Sequence, residues 1–207
     1  MSRPVAYVTS EEIKDTKIIN QNIENGIAVE KVKSQKIIKI LLLGGPESGK
    51  STIFKQMRIL HMNGFSESDI VNYAYLIYAN IIESIWKLIE GANTLNIEIN
   101  HNFEDDVDEF VKYYMNTHLN HVEYDEELFQ RIKRISKSEF IRKILDRQHE
   151  IIILDSAVYF LQHLDRILIP NYKPNEQDML RARIPTTGIT EIEFPYRTYN
   201  LRVLECD

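Results

Sequence analysis

A glycine-rich loop at residues 44–51, with the sequence GGPESGKS, constrains the fold of this chain more than any other feature. It satisfies the phosphate-binding pattern G-x-x-x-x-G-K-[ST] at every position. The apolar run before it, residues 36–43, predicts a buried parallel strand, and residues 52–60 after it predict a helix. A strand, a glycine loop and a helix in this order are the context that such a loop requires. The loop is therefore predicted to bind the phosphates of a nucleotide.

The residue types in this loop suit a triphosphate. Backbone N–H groups from Glu47 to Thr52 can surround an anion, because glycine lets the chain curl tightly and a helix N-terminus favours negative charge. We expect Lys50 to reach the outer phosphates and the Ser51 hydroxyl to bind Mg2+. The loop residues predicted to bind the nucleotide are Glu47, Ser48, Gly49, Lys50, Ser51 and Thr52.

The composition narrows the class of protein. Apolar residues make up 43% of the 207 positions, which is enough for a sizeable core. A net charge of −6 argues against nucleic acid as the main partner. No apolar run reaches the length of a bilayer crossing and no secretory leader follows Met1. The single cysteine, Cys206, fits a reducing cytosol, so a cytoplasmic protein is expected.

The first part of the chain predicts one polar helix over residues 9–35, with Ser10 as its N-cap. Its apolar stripe is thin, so the helix has little to bury in its own domain and suits a partner surface. A solvated or partly disordered arm fits the same residues equally well. The stripe consists of Ile18, Ile19, Ile23 and Ile27.

A long amphipathic helix is predicted after the loop helix. Apolar side chains recur every three or four residues from Ile70 to Leu88. Ser66 and Asp69 resemble a capping pair at its start, and Gly91 marks its predicted end.

The chain from residue 100 to 169 has no alternating strand pattern and predicts shorter helices with an aromatic core. The last of them covers residues 150–168, and its predicted apolar face consists of Leu154, Val158, Leu161 and Leu164. Residues 65 to about 170 therefore predict an all-helical insert.

The end of the chain returns to strands. A short capped helix is predicted over residues 175–181, followed by strands at 191–198 and 200–205. Pro195 places the first of these strands at a sheet edge. The predicted fold class is α/β, in which a βα unit is interrupted by helices before the sheet resumes.

Together these motifs resemble the alpha subunits of heterotrimeric G proteins. That family carries G-x-G-E-S-G-K-S-T in its loop and an all-helical domain inserted after the first helix. It also carries a D-S-A run, found here at 155–157, a P-N-Y-x-P segment, found at 170–174, and L-R-x-R-x-x-T-T-G-I, found at 180–189. The resemblance covers about residues 11–204 and implies a partial Ras-like P-loop NTPase domain with an inserted all-helical domain.

The resemblance also implies domain bounds. They are an N-terminal helix or arm at 1–35, a partial Ras-like GTPase domain from 36–64 and 177–207, and a helical domain at 65–176.

The resemblance implies roles for residues beyond the loop. Arg183 resembles the built-in arginine finger of the family, whose guanidinium neutralises phosphate charge as the bond breaks, and it is the implied catalytic residue. Thr186 resembles the second magnesium-binding hydroxyl, after that of Ser51, on a loop that senses the γ-phosphate. The residues implied to line the nucleotide from the helical side are Ser156, Leu180 and Arg181.

The implied function is a switch between GTP-bound and GDP-bound forms that uses Mg2+, hydrolyses GTP and couples receptors to effectors in signal transduction. The implied partners are a beta-gamma dimer and, in a full-length form, a G protein-coupled receptor and an effector. Such a protein is expected in the cytoplasm and peripherally at the inner face of the plasma membrane, attached through partners.

Three positions depart from the family pattern. Pro46 replaces a loop glycine and removes an N–H donor, so we expect altered hydrolysis geometry with phosphate binding kept. Pro185 replaces a basic residue and stiffens the loop that carries Thr186. Ser2 stands where the family has the glycine that is myristoylated.

The last residues depart most. Glu205 stands where the family has an aspartate, and the sequence stops at Asp207, before the glutamine that positions the attacking water. The guanine-reading N-K-x-D motif is also absent, so guanine specificity is implied by the resemblance alone. A C-terminally truncated subunit is expected, with three strands and with strand 37–43 partly open to water.

Two other functions stay open. The missing glutamine favours a non-catalytic fragment that acts only as an interaction module for beta-gamma or a regulator, so GTPase activity itself stays uncertain. An ATP-using P-loop kinase would give no reason for the R-x-x-T-T-G run at residues 183–188.

Overall fold

A computed structural model describes residues 10–34, 36–45, 48–99, 103–119, 122–184 and 188–206. The chain divides into two compact units. We call residues 1–54 with 187–207 the sheet unit and residues 55–186 the helical unit. Within these described ranges, helices and one three-stranded sheet confirm the α/β class. The predicted domain bounds stay a prediction.

The sheet unit begins with helix α1, Ser10–Ser34, which confirms the helix predicted over this segment. The four isoleucines of its predicted stripe are all exposed. The sheet consists of strands β1, Ile37–Leu42, β2, Ile189–Tyr196, and β3, Tyr199–Cys206.

The strand order is β1–β3–β2, with β1 parallel and β2 antiparallel to β3. Pro195 lies in β2 at one edge, as its lack of an N–H donor predicts. Val203 in the central strand is fully buried, whereas Ile38 and Leu41 of β1 are exposed. The prediction of a buried β1 is therefore wrong, and the prediction of a partly open β1 is confirmed, because β1 has one neighbouring strand among the described residues.

Helix α2, Lys50–His61, begins directly after the glycine loop and confirms the predicted loop helix. Helix α3, Glu67–Leu95, begins with the predicted capping pair. Asp69 N–H donates to Ser66 Oγ at 3.2 Å, and Ser66 N–H donates to Asp69 Oδ2 at 2.9 Å. Each bond satisfies a backbone donor that the helix start would leave unpaired.

The prediction that α3 ends at Gly91 is wrong, because the helix runs one further turn to Leu95. It ends at Asn96, whose φ of 52° is left-handed. A Cβ at Gly91 would lie 2.7 Å from Ile151 Cδ1, so this glycine permits close packing rather than helix termination.

The remaining helices are α4, Glu104–Asn116; α5, Glu126–Ser136; α6, Glu139–Asp146; α7, Ala157–Gln162; α8, Leu164–Ile167; and α9, Glu176–Arg181. The single helix predicted over 150–168 is wrong, because a 3-10 turn at Gln148–Glu150 precedes a loop and α7 and α8 are separate. The helical conformation is interrupted at His163, which has φ −114° and ψ 13°. Leu154 and Leu164 of the predicted apolar face are buried, whereas Val158 and Leu161 are only partly buried. The other buried apolar residues of α7 and α8 are Ala157, Phe160 and Ile167.

The core of the helical unit gathers around α3, whose Ile77, Ile81, Ile85 and Leu88 are fully buried. The aromatic core predicted for the shorter helices is confirmed by Phe110 and Phe129, which are buried with them. Trp86 stacks on Tyr114, with ring centroids 4.5 Å apart. Within the described part of the chain, no helix has both the length and the apolarity to cross a bilayer.

Candidate functional site

The glycine loop has the backbone geometry of an anion cradle at the positions that the structure describes. Gly49 has φ +87°, a conformation that side chains with a Cβ rarely adopt. A Cβ at Gly44 would lie 2.4 Å from Ser48 Oγ, so the loop closes tightly on itself there. Pro46 and Glu47, which carry two of the sequence predictions, lie outside the described residues.

Helix α2 presents its N-terminus directly at the end of this loop. The N–H of Ile53 donates to the Gly49 carbonyl at 3.0 Å, and the three N–H groups before it, on Lys50, Ser51 and Thr52, lie in the first turn. First-turn N–H groups have no partner within a helix, and the helix dipole adds positive potential. The first turn of α2 holds no acidic residue that would compete for this end.

The ammonium group of Lys50 folds back onto the loop. Its Nζ donates to the carbonyl oxygens of Gly44 at 2.8 Å and of Gly45 at 3.0 Å. The positive charge is therefore held beside the same backbone that curls around the anion position. Lys50, Ser48 and Gly49 therefore lie together at this loop, and their binding of a nucleotide stays a prediction.

The hydroxyl of Ser51 donates to the carboxylate of Glu205, a contact made within the sheet unit. Glu205 is only 4% exposed and lies near the end of β3, opposite Leu42 of β1. Parallel pairing of β1 with β3 thus brings Glu205 to the edge where the loop begins. A hydroxyl and a carboxylate are the hard oxygen donors that Mg2+ prefers.

These donors fit the expected metal. Among the described residues, no group of three or more His, Cys, Asp and Glu side chains is placed to hold an ion. A nucleotide-bound Mg2+ does not need such a group, because it is held by one or two protein oxygens and by phosphate oxygens. Thr186, the second predicted metal ligand, lies outside the described residues.

The predicted catalytic residue, Arg183, lies in the helical unit just beyond α9. Its backbone is bonded twice to one side chain of α3. Arg183 N–H donates to Asn80 Oδ1 at 2.6 Å, and Asn80 Nδ2 donates to Arg183 O at 3.1 Å. Directly before it, the Ala182 carbonyl accepts a hydrogen bond from the buried ammonium group of Lys55.

The other residues predicted on the helical side are also in this unit. Ser156 is buried and directly precedes α7, and Leu180 is partly buried on α9. The exposed Arg181 guanidinium lies over the ring of Tyr159, with Cζ 4.6 Å from the ring centroid. Cation–π contact of this kind holds the end of α9 against α7.

A buried carboxylate anchors α9. Asp178 accepts hydrogen bonds from both terminal nitrogens of Arg166 at 2.7 Å and from the hydroxyls of Tyr159 and Tyr172 at 2.8 Å. It also accepts the Asn175 N–H at 3.0 Å, which completes a capping box at the start of α9. Burial alone would raise the pKa of Asp178, but these hydrogen bonds, led by that from Arg166, lower it to about 2.

The sequence predictions missed Asn80, Lys55 and Asp178. Asn80 is the only polar residue among its neighbours from Ile77 to Ile82 and lies on the buried stripe of α3. A polar residue on such a stripe must find partners, since an unpaired buried amide costs about 1–3 kcal/mol. That signal could have identified it before the structure was known.

Residues 17–207 match the family described as G-protein alpha subunit, so the chain belongs to the G-protein alpha subunit family. It is 47% identical over 190 residues to the guanine nucleotide-binding protein alpha-11 subunit of Caenorhabditis elegans, covering 91% of this chain and 51% of that protein. It is 40% identical over 201 residues to the guanine nucleotide-binding protein alpha-7 subunit of Caenorhabditis briggsae, and the match covers 97% of this chain and 56% of that protein.

A third relative is the guanine nucleotide-binding protein G(o) subunit alpha of Planorbella trivolvis. It is 37% identical over 183 residues, which cover 88% of this chain and 52% of that protein. The chain thus spans about half the length of the curated relatives it matches.

Proposed function

We propose that this chain is the nucleotide-binding switch of a heterotrimeric G protein alpha subunit. It binds GTP and GDP with Mg2+, and it hydrolyses GTP as part of signalling from receptors to effectors. Its partners are a beta-gamma dimer and, in the whole protein, a receptor and an effector. The hydrophobic side chains on α1 suit contact with the beta-gamma dimer. It works in the cytoplasm, at the inner face of the plasma membrane.

The glycine loop is the observation that carries this proposal. Its left-handed Gly49, the open N-terminus of α2 and the Lys50 ammonium group supply converging donors for a polyphosphate. Bound Mg2+ would supply charge neutralisation between the phosphates, held by Ser51 with Glu205 close by. The family membership supports guanine as the base.

In the proposed fold, the sheet unit is part of a Ras-like P-loop NTPase domain and the helical unit corresponds to the inserted all-helical domain. Arg183 is the catalytic residue of this proposal. Its guanidinium stabilises the charge that builds up on the phosphate oxygens as water attacks the terminal phosphorus and the bond from that phosphorus to the departing GDP breaks. Ser156, Leu180 and Arg181 line the nucleotide from the helical side, and Thr186 completes the metal ligands.

The test is Mg2+-dependent binding of a fluorescent, slowly hydrolysed GTP analogue to the purified chain. We expect displacement by GDP and not by ATP. Lys50→Ala should weaken binding by about 10- to 100-fold, the value of a hydrogen bond to a charged group. The matched control is Lys143→Ala, which removes an exposed lysine paired with Glu139 on α6.

Equal affinities for the two lysine variants would overturn the assignment of the loop. Displacement by ATP as readily as by GDP would overturn guanine specificity. No binding by a chain with a helical circular dichroism spectrum would leave the interaction-module function as the better conclusion.

A further inference from the structure

The side chain of Asn80 forms a two-bond clamp on the backbone of Arg183. Its amide oxygen accepts the Arg183 N–H at 2.6 Å and its amide nitrogen donates to the Arg183 carbonyl at 3.1 Å. Both backbone groups of one residue are therefore bonded by one side chain, as a neighbouring strand would bond them. Two bonds fix both position and orientation, whereas one bond would leave rotation about its axis.

The clamp is built on rigid structure. Asn80 is 5% exposed and lies in the buried stripe of α3, next to the fully buried Ile81. The backbone carbonyl of Asn80 accepts a hydrogen bond from the Ser84 hydroxyl at 2.6 Å, and the backbone of both residues is part of the long helix α3. A side chain held by packing positions its partner more precisely than one on a loop.

The residue before Arg183 is held as well. Lys55, a buried lysine of α2, donates its ammonium N–H to the Ala182 carbonyl, and Ala182 is itself buried. The peptide group that joins Ala182 to Arg183 is thus held at its carbonyl by Lys55 of α2 and at its N–H by Asn80 of α3. Asn80 also holds the next peptide group at the Arg183 carbonyl. Ile184, which follows Arg183, is partly buried and packs against the core of the helical unit.

We propose that Asn80 is a positioning residue for Arg183. By fixing the backbone from which the guanidinium projects, the clamp sets where the positive charge can reach in the hydrolysis reaction. This inference rests on the proposed function of Arg183. Electrostatic stabilisation acts through preorganised groups, and a misplacement of about 1 Å can cost about 100-fold in rate.

The first experiment needs no nucleotide. Hydrogen exchange of the Arg183 amide, measured residue by residue by NMR, reports whether its N–H is bonded to Asn80. We expect Asn80→Leu, which keeps the branching at Cγ and has no polar side-chain atom, to speed this exchange by at least about tenfold. The matched control Asn72→Leu alters an exposed residue of the same helix and should leave the exchange rate unchanged.

The second experiment measures single-turnover GTP hydrolysis and GTP affinity separately. Asn80→Leu should slow hydrolysis by about 10- to 100-fold with affinity changed less than about threefold. Asn80→Asp keeps the acceptor for the Arg183 N–H and loses the donor, so its rate should lie between the two. In an Arg183→Ala background, Asn80→Leu should cause no further loss, because a positioning residue acts only through its partner.

Several results would overturn the inference. One is unchanged exchange of the Arg183 amide in Asn80→Leu. Another is a rate loss of equal size with and without the Arg183 side chain, since Asn80 would then act elsewhere. If Asn80→Leu does not fold, as Trp86 fluorescence reports, Asn80→Asp decides by its hydrolysis rate, and an unchanged rate in that variant overturns the inference. Absence of hydrolysis in the unsubstituted chain would overturn the proposed GTPase function and a catalytic purpose for the clamp, even where exchange demonstrates the clamp.

Discussion

Asp178→Asn is expected to destabilise the helical unit by about 2–3 kcal/mol at neutral pH. The substitution keeps the shape of the side chain but removes the charge that pairs with Arg166. It also replaces one of the two accepting oxygens by an NH2 group, which cannot accept the hydrogen bonds made there. A pKa that falls from 3.8 to about 2 on folding corresponds to about 2 kcal/mol of stability at pH 7. Arg166 is 40% exposed and can turn to water, which keeps the loss below the ~3–5 kcal/mol of a fully buried broken pair.

Urea unfolding watched by tryptophan fluorescence isolates this effect. Trp86 is the single tryptophan of the sequence and lies within the helical unit, stacked on Tyr114. The expected loss would lower the urea midpoint by about 1–2 M. Asp165→Asn is the matched control, because Asp165 pairs with Lys137 while 72% exposed, and such surface pairs contribute about 0–1 kcal/mol.

The pH dependence has a fixed sign. Because folding lowers the pKa of Asp178, its stabilisation is complete above about pH 5 and fades as the pH falls toward 2. The stability difference between the unsubstituted chain and Asp178→Asn should therefore shrink between pH 6 and pH 3. Equal urea midpoints for Asp178→Asn and Asp165→Asn, or a difference that grows on acidification, would refute the reasoning.

Three further predictions concern other elements. Ser66→Ala removes half of the capping box with Asp69 and should cost about 1 kcal/mol of helical-unit stability, measured by the same urea titration; a loss below about 0.3 kcal/mol would contradict it. Glu205→Gln removes the carboxylate beside Ser51 and should raise the Mg2+ concentration needed for nucleotide binding by about tenfold, and an unchanged requirement would argue against the metal role. Backbone amides of β1 should exchange faster than those in the middle of α3, and strong protection of residues 37–43 in a monomer would count against the open edge of β1.

The local parts of this fold could be predicted from sequence because their signals are local. The glycine loop, α2 and the capping pair of α3 each depend on residues within one or two turns of one another. The end of α3 could not be predicted in this way. Gly91 has the sequence signature of a helix stop, but its reason is contact with Ile151, which is distant in sequence.

The same distinction applies to the candidate site. Lys50 and Ser51 are recognisable from their spacing alone, whereas the partner of Ser51, Glu205, depends on the pairing of β1 with β3. The clamp joins Asn80, which lies in α3, to Arg183, which follows α9, so the two residues are 103 positions apart in sequence. No short-range sequence pattern indicates such a contact. The interruption between α7 and α8 at His163 also could not be predicted from the sequence, because two short helices can keep the same apolar period as one long helix.

The pairing of β1 with β3 also governs the order in which the chain can fold. Ile37 pairs with Asn200, so β1 leaves the ribosome long before its partner strand has been made. At synthesis rates of ~5–20 residues per second, the delay is roughly 8–30 s. The helical unit is continuous in sequence and can fold during this interval, whereas closing the sheet carries the loop-closure entropy of the whole intervening segment. An unpaired apolar strand exposed for that long is a binding site for chaperones, and the yield of folded protein in a cell will depend on how well β1 is protected while it waits.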